Sequence, residues 1–110
     1  MNDIILLQSL QEKLKDVKYS SHLKIVSRLI KKIEEMGRDA LKILDVEGHY
    51  LLCEMKVMKP PYRLYVILDQ QNNKYYVADW EHKDKQEKAI EELRFKLSIA
   101  VRAGLEKIFT

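Results

Sequence analysis

One cysteine, two prolines and three glycines in 110 residues leave this chain with little covalent or conformational punctuation. A lone Cys53 can neither close a disulfide within the chain nor build a thiolate metal cage, which needs several sulfur or imidazole ligands. That economy suits an intracellular protein. No uncharged apolar run approaches the ~20 residues needed to span a bilayer. The start, where Asp3 precedes Ile4 to Leu7 with no basic segment ahead, does not have the form of a secretory signal. A soluble, cytoplasmic protein with no membrane partner is expected. An excess of charge of one sign is missing too. Twenty basic and 17 acidic side chains give a net charge of +3, spread along the chain without a basic tail. Any binding of nucleic acid would therefore rest on local clustering on a folded surface. The length fits one domain with a single modest core.

What is present is a strand-rich block over residues 51–85, LLCEMKVMKPPYRLYVILDQQNNKYYVADWEHKDK. Its apolar residues alternate, as they do where successive side chains point to opposite faces of a half-buried strand. Leu51, Cys53, Met55 and Val57 share one face, and Tyr50, Leu52, Glu54 and Lys56 the other. Pro60-Pro61 cannot continue a ladder and sets an extended link to a second strand, in which Arg63, Tyr65 and Ile67 oppose Tyr62, Leu64, Val66 and Leu68. Residues 69–73, Asp-Gln-Gln-Asn-Asn, form a polar hairpin connection, and a third strand returns from Lys74 to Glu81. The pattern predicts a three-stranded antiparallel meander.

On either side the period changes to that of helices. Asn2 or Asp3 is placed to cap a first helix with Leu6, Leu7, Leu10, Leu14 and Val17 on one stripe, broken at Tyr19-Ser20-Ser21. Ser20 or Ser21 then caps a second helix that buries Leu23, Val26, Leu29, Ile30 and Ile33, with Gly37 as its C-terminal stop. These two should form a hairpin on one sheet face. Residues 38–48 link them to the sheet, with a short helical turn at 40–44 and Gly48 as punctuation. Asp84 and Glu87 open a long last helix reaching Phe109, with Ile90, Leu93, Leu97, Val101, Leu105 and Ile108 in its stripe. Phe95 and Ile99 fall off that stripe, and a partner, such as a second copy in a homodimer, would cover them. The fold class is α+β: helix hairpin 1–37, sheet 49–82, C-terminal helix 84–109.

The order of these parts, with L-x-C-E-M-K, P-Y-R-L-Y-V and Y-Y-V-A-D-W-E-H-K-x-K in the strands, resembles the RelE/HigB branch of the RelE/ParE toxin superfamily over residues 23–97. The resemblance implies a single domain over 1–110 and a toxin that cleaves mRNA, usually on the ribosome, without a metal or other cofactor, and is neutralised by a cognate antitoxin. It assigns catalytic positions to Lys56, Arg63 and Lys83, with His82 beside them. Lys85 and Lys59 join the RNA-binding set. Four features depart from the family pattern, one being Lys83 where relatives often have an arginine near the last strand. Residues 86–89 hold no aromatic where some ribonucleases of the family carry a tyrosine, Glu54 stands where more basic relatives have lysine, and no N-terminal strand is expected. The same scaffold also serves by binding alone in the gyrase-poisoning ParE branch.

RNA cleavage by its own 2′-hydroxyl requires a base, an acid and cations around the phosphorane, which explains the residue types. Arg63 suits a bidentate phosphate clamp, Lys56 and Lys83 add charge, and His82 is the natural candidate for proton transfer. Tyr65 and Trp80 are candidates to stack on unpaired bases, as well as ordinary packing residues. His22 and His49 read as structural. Asp79, Glu81, His82 and Asp84 alternate between faces, so no metal site is expected there.

Overall fold

A computed structural model describes residues 2–103. A five-stranded sheet runs in the order β1-β5-β4-β3-β2, with β1 parallel to β5 and all other pairs antiparallel. The chain order is β1 (Asp3–Leu6), α1 (Gln8–Leu14), a 3₁₀ segment (Val17–His22), α2 (Leu23–Met36), a 3₁₀ turn (Gly37–Ala40), β2 (Lys42–Glu47), β3 (Tyr50–Val57), β4 (Tyr62–Asp69), β5 (Lys74–His82), a 3₁₀ turn (Lys83–Lys85) and α3 (Gln86–Ala103). The fold is α+β, and the expected meander is its β3-β4-β5 centre. Two flanking strands were not anticipated.

The first of them, β1, replaces the start of the expected first helix. Ile4, Ile5 and Leu6 pair as an edge strand beside Tyr75, Tyr76 and Val77, and this tertiary pairing overrides the local period. Leu7, extended and buried, turns the chain into α1. Asn2 is not a cap for that helix. Its side-chain amide donates to the Ile33 and Glu34 carbonyls, closing the C-terminal end of α2 instead. The second missed strand, β2, takes the place of a helical turn at 40–44. Its β-branched Ile43 and Val46 alternate with charges in a way that fits an edge strand, and Gly48, at φ +60°, begins the two-residue turn into β3 with the positive φ that such hairpins need.

Other connections follow their local chemistry. Gly37 stops α2 at φ +59°, ψ −134°, a region that costs other residues dearly. The β4–β5 loop is organised by Asp69, whose carboxylate accepts from the Gln71 and Asn72 amides and the Asn72 side chain, while Asn73 takes a left-handed φ of +53°. A 3₁₀ segment, not a serine-capped start, leads into α2, with Asp16 accepting the Lys18 amide.

The sheet carries helices on both faces. α1 and α2 cover Leu51, Cys53, Met55, Leu64, Val66, Leu68, Tyr75, Val77 and Trp80. α3 covers Tyr50, Leu52, Tyr65, Ile67, Tyr76 and Ala78 through Ala89, Leu93, Leu97 and Ala100. Small alanines bring this helix close to the sheet, and Val101 turns out exposed with Phe95 and Ile99. The expected continuation of the helix through Leu105 and Ile108 to Phe109 lies outside the described residues. No helix among those described is long and apolar enough to cross a membrane.

Candidate functional site

Strand register sorts the polar side chains of the sheet into two adjacent rows on the α3 face. Lys56 on β3, Arg63 on β4 and Glu81 on β5 form one row, and Glu54, Tyr65 and Asp79 the next. A bulge sits at this point. Tyr65 pairs with Asp79 and Val66 with Val77, so Ala78 is the extra residue, and it packs in the α3-side core.

Arg63 is only 9% exposed. Its Nη1 donates to the Tyr62 carbonyl at 3.1 Å and the Val57 carbonyl at 3.4 Å, which ties the guanidinium to the ends of β3 and β4. Among the described residues it makes no ion pair with a carboxylate, and its buried Nε has no hydrogen-bond partner. Two residues on, the Tyr65 hydroxyl is also buried without a partner. Burial, assisted by the nearby Glu54 carboxylate, pushes this phenol up to about 12. Glu54 is itself buried, with Lys42 Nζ 3.9 Å away. Lys56 stands exposed across from Arg63.

Asp79 and Glu81 are bound by a residue from outside the sheet. Lys13, on α1, donates to Asp79 Oδ1 at 2.9 Å and Glu81 Oε2 at 2.7 Å. Burial alone would lower the Lys13 ammonium and raise the Glu81 carboxyl. The bonds between them outweigh it, so Lys13 is held above and Glu81 below their ordinary values. A groove of about 240 Å³ beside them is lined by Asp79, Glu81, Lys85, Lys88, Ala89 and Glu92. Lys85 is thereby brought to the Glu81 end of the first row.

The remaining expected site residues separate. His82 has the opposite parity to Glu81 and stands across from Tyr62, their rings 5.3 Å apart and edge-on. Its Nδ1 accepts the Asp84 amide at 3.1 Å, with Asp84 Oδ2 3.5 Å away. Lys83 is exposed in the following turn, where its amide donates to the Pro61 carbonyl at 2.9 Å. That bond places Lys83 beside the β3–β4 link that carries the exposed Lys59. Tyr65 and Trp80 offer no ring to a base. Both are fully enclosed, because their parities direct them into the two cores. Trp80 Nε1 donates to His22 Nδ1 at 2.9 Å, so His22 is the structural partner of a buried indole.

The accessible aromatic at this rim is Tyr62, which reasoning from sequence placed only by face. Its ring stacks on Trp80 at 5.0 Å and 17° and lies between His22 and His82. Its position directly between Pro61 and Arg63, at the start of a strand, was the available signal. Lys13 had no such signal, since its partners lie 66 and 68 residues away. Among the described residues no three His, Cys, Asp or Glu side chains gather to hold a metal ion. No protein family, curated protein or solved structure matches this chain.

Proposed function

We propose that this chain is an endoribonuclease of the toxin type, cleaving mRNA on the ribosome in the cytoplasm without a metal and held in check by a cognate antitoxin. The observation that carries the proposal is the Arg63–Lys56 pair, directly opposed at one end of the sheet and, among the described residues, free of any carboxylate partner. A buried guanidinium held by two carbonyls and left without a counter-ion is poised for an anion, and a phosphodiester is the anion that RNA supplies. Lys59 and Lys83 extend the positive rim, and Tyr62 offers a partly exposed ring. The presence of β1 removes one departure from the toxin pattern.

In this scheme Arg63 clamps the scissile phosphate and Lys56 offsets charge on the phosphorane. His82 Nδ1 accepts the Asp84 amide in the neutral ring, and on protonation it exchanges that bond for one to the Asp84 carboxylate, whose Oδ2 lies 3.5 Å away. As the imidazolium it is cast as the acid that protonates the leaving 5′-oxygen, while water takes the proton of the attacking 2′-hydroxyl. Purified protein incubated with single-stranded RNA and with translating ribosomes, in the presence of EDTA, should release fragments with 5′-hydroxyl ends. Intact RNA in both reactions would overturn the proposal.

A second reading, binding without catalysis, draws on the exposed apolar edge of α3. Phe95 is 67% exposed, with Ile99 one turn on along the same face of the helix. Such an edge serves an antitoxin, gyrase or a homodimer alike. Cross-linking with and without Phe95→Ser, alongside the cleavage assay, separates the two readings.

A further inference from the structure

We propose that Lys13 is a positioning residue for the phosphate site: it holds the Asp79 and Glu81 carboxylates at the outer edge of β5 and so keeps Arg63 free to take an anion. The inference rests on the reading of Arg63 as a phosphate clamp.

Arg63 and Glu81 stand directly opposite each other on one face of an antiparallel pair. Side chains so placed have their Cβ atoms ~5 Å apart, and opposite charges there ordinarily pair. These two do not, because both oxygens of Glu81 are engaged elsewhere. Oε2 accepts from Lys13 at 2.7 Å, and Oε1 accepts the His82 amide at 3.2 Å. Asp79 repeats the arrangement, its Oδ1 accepting from Lys13 at 2.9 Å and from the Trp80 amide at 2.8 Å.

The sheet's own geometry explains why those amides are open. β1 stops pairing with β5 at Leu6 and Val77, and the Leu7 amide takes the Val77 carbonyl. Beyond that point β5 has no outer neighbour, and its edge amides turn to the carboxylates of the preceding residues. α1 crosses the gap with Lys13 near its C-terminal end, so one cation fixes two acids on the side of the strand away from Arg63. Without that cation, Glu81 would have Arg63 as a ready partner on its own face, and an incoming phosphate would meet two unneutralised carboxylates.

The test is the affinity of a fluorescent, uncleavable 2′-O-methyl RNA oligonucleotide, with thermal melting to follow the fold. Arg63→Gln should weaken binding at least about tenfold. Lys13→Met should weaken it by roughly five- to tenfold, and Lys13→Arg should stay within about twofold of wild type. Adding Glu81→Gln and Asp79→Asn to Lys13→Met neutralises the two carboxylates that the loss of Lys13 leaves without a cation. That triple variant should fold whether or not Lys13→Met does, and bind RNA within about twofold of wild type. Full affinity in Lys13→Met, or weak binding in a folded triple variant, overturns the positioning role while the loss in Arg63→Gln still supports the clamp. An Arg63→Gln protein that binds like wild type overturns the clamp and the positioning role with it.

Discussion

β3, β4 and β5 each present one face to α1 and α2 and the other to α3, and only the first is finished as an apolar interface. On the α2 side Cys53, Leu64, Val66, Val77 and Trp80 are fully buried, and the single indole N–H among them has His22 as acceptor. On the α3 side the sheet divides. Leu52, Ile67 and Ala78 pack under Leu93 and Leu97, whereas Glu54, Arg63, Tyr65, Asp79 and Glu81 fill the adjoining two rows. Both buried side-chain atoms without a partner among the described residues belong to those rows. Packing alone would favour apolar residues there, since an unpaired buried polar group costs stability. Where a fold keeps such groups beside a complete core, function is the better explanation.

The widest separation between the faces should appear in unfolding. Trp80→Ala, which empties a fully buried site, is expected to cost about 3–5 kcal/mol by urea denaturation, against less than about 1 kcal/mol for Arg63→Gln. Equal costs would make the polar rows structural and erase the contrast. Next, His22→Leu should cost about 1–3 kcal/mol, because it leaves the Trp80 N–H buried and unpaired. In the double variant with Trp80→Phe the two costs should fall short of their sum.

The Lys13 bridge gives a smaller, pH-shaped effect. Glu81 titrates below its ordinary 4.5 in the folded chain, so its contribution is present above that pH and lost as pH falls through the folded value. Lys13 titrates above 10.5, so its contribution is complete below that pH and lost as pH rises through the folded value. Melting temperature against pH should show both limbs, worth about 1 kcal/mol or less, and Lys13→Met should flatten them. Least of all, Cys53, whose thiol burial raises to about 11, should ignore a thiol reagent until the chain unfolds. Reaction in the folded state would show the α2 face to be less closed than it looks.

Much of this was legible in local pattern. The period-two alternation of residues 50–57 and 62–68 sorts the side chains of β3 and of β4 into the sets that share a face, and Gly37, Gly48 and the Asp69 loop fall where the turns lie. β1 and β2 escaped because each is short and makes sense only beside a strand distant in sequence. Asn2 and Lys13 escaped for the same reason, their partners being about 30 and nearly 70 residues away. Of the two readings open for Tyr65 and Trp80, packing holds and base stacking does not, and only the pairing of β4 with β5 shows that they enter opposite cores. His82 was grouped with Arg63 by proximity in the chain, although one residue's difference in parity sets it across the rim.

The central claim is that Arg63, with Lys56 beside it, handles an RNA phosphate. Mapping message ends after induced expression of wild type and of Arg63→Gln, with equal melting temperatures established first, tests it most directly. New internal ends in wild type and their absence in Arg63→Gln are the result expected here. Intact messages in both, or the same cuts in both, would contradict it.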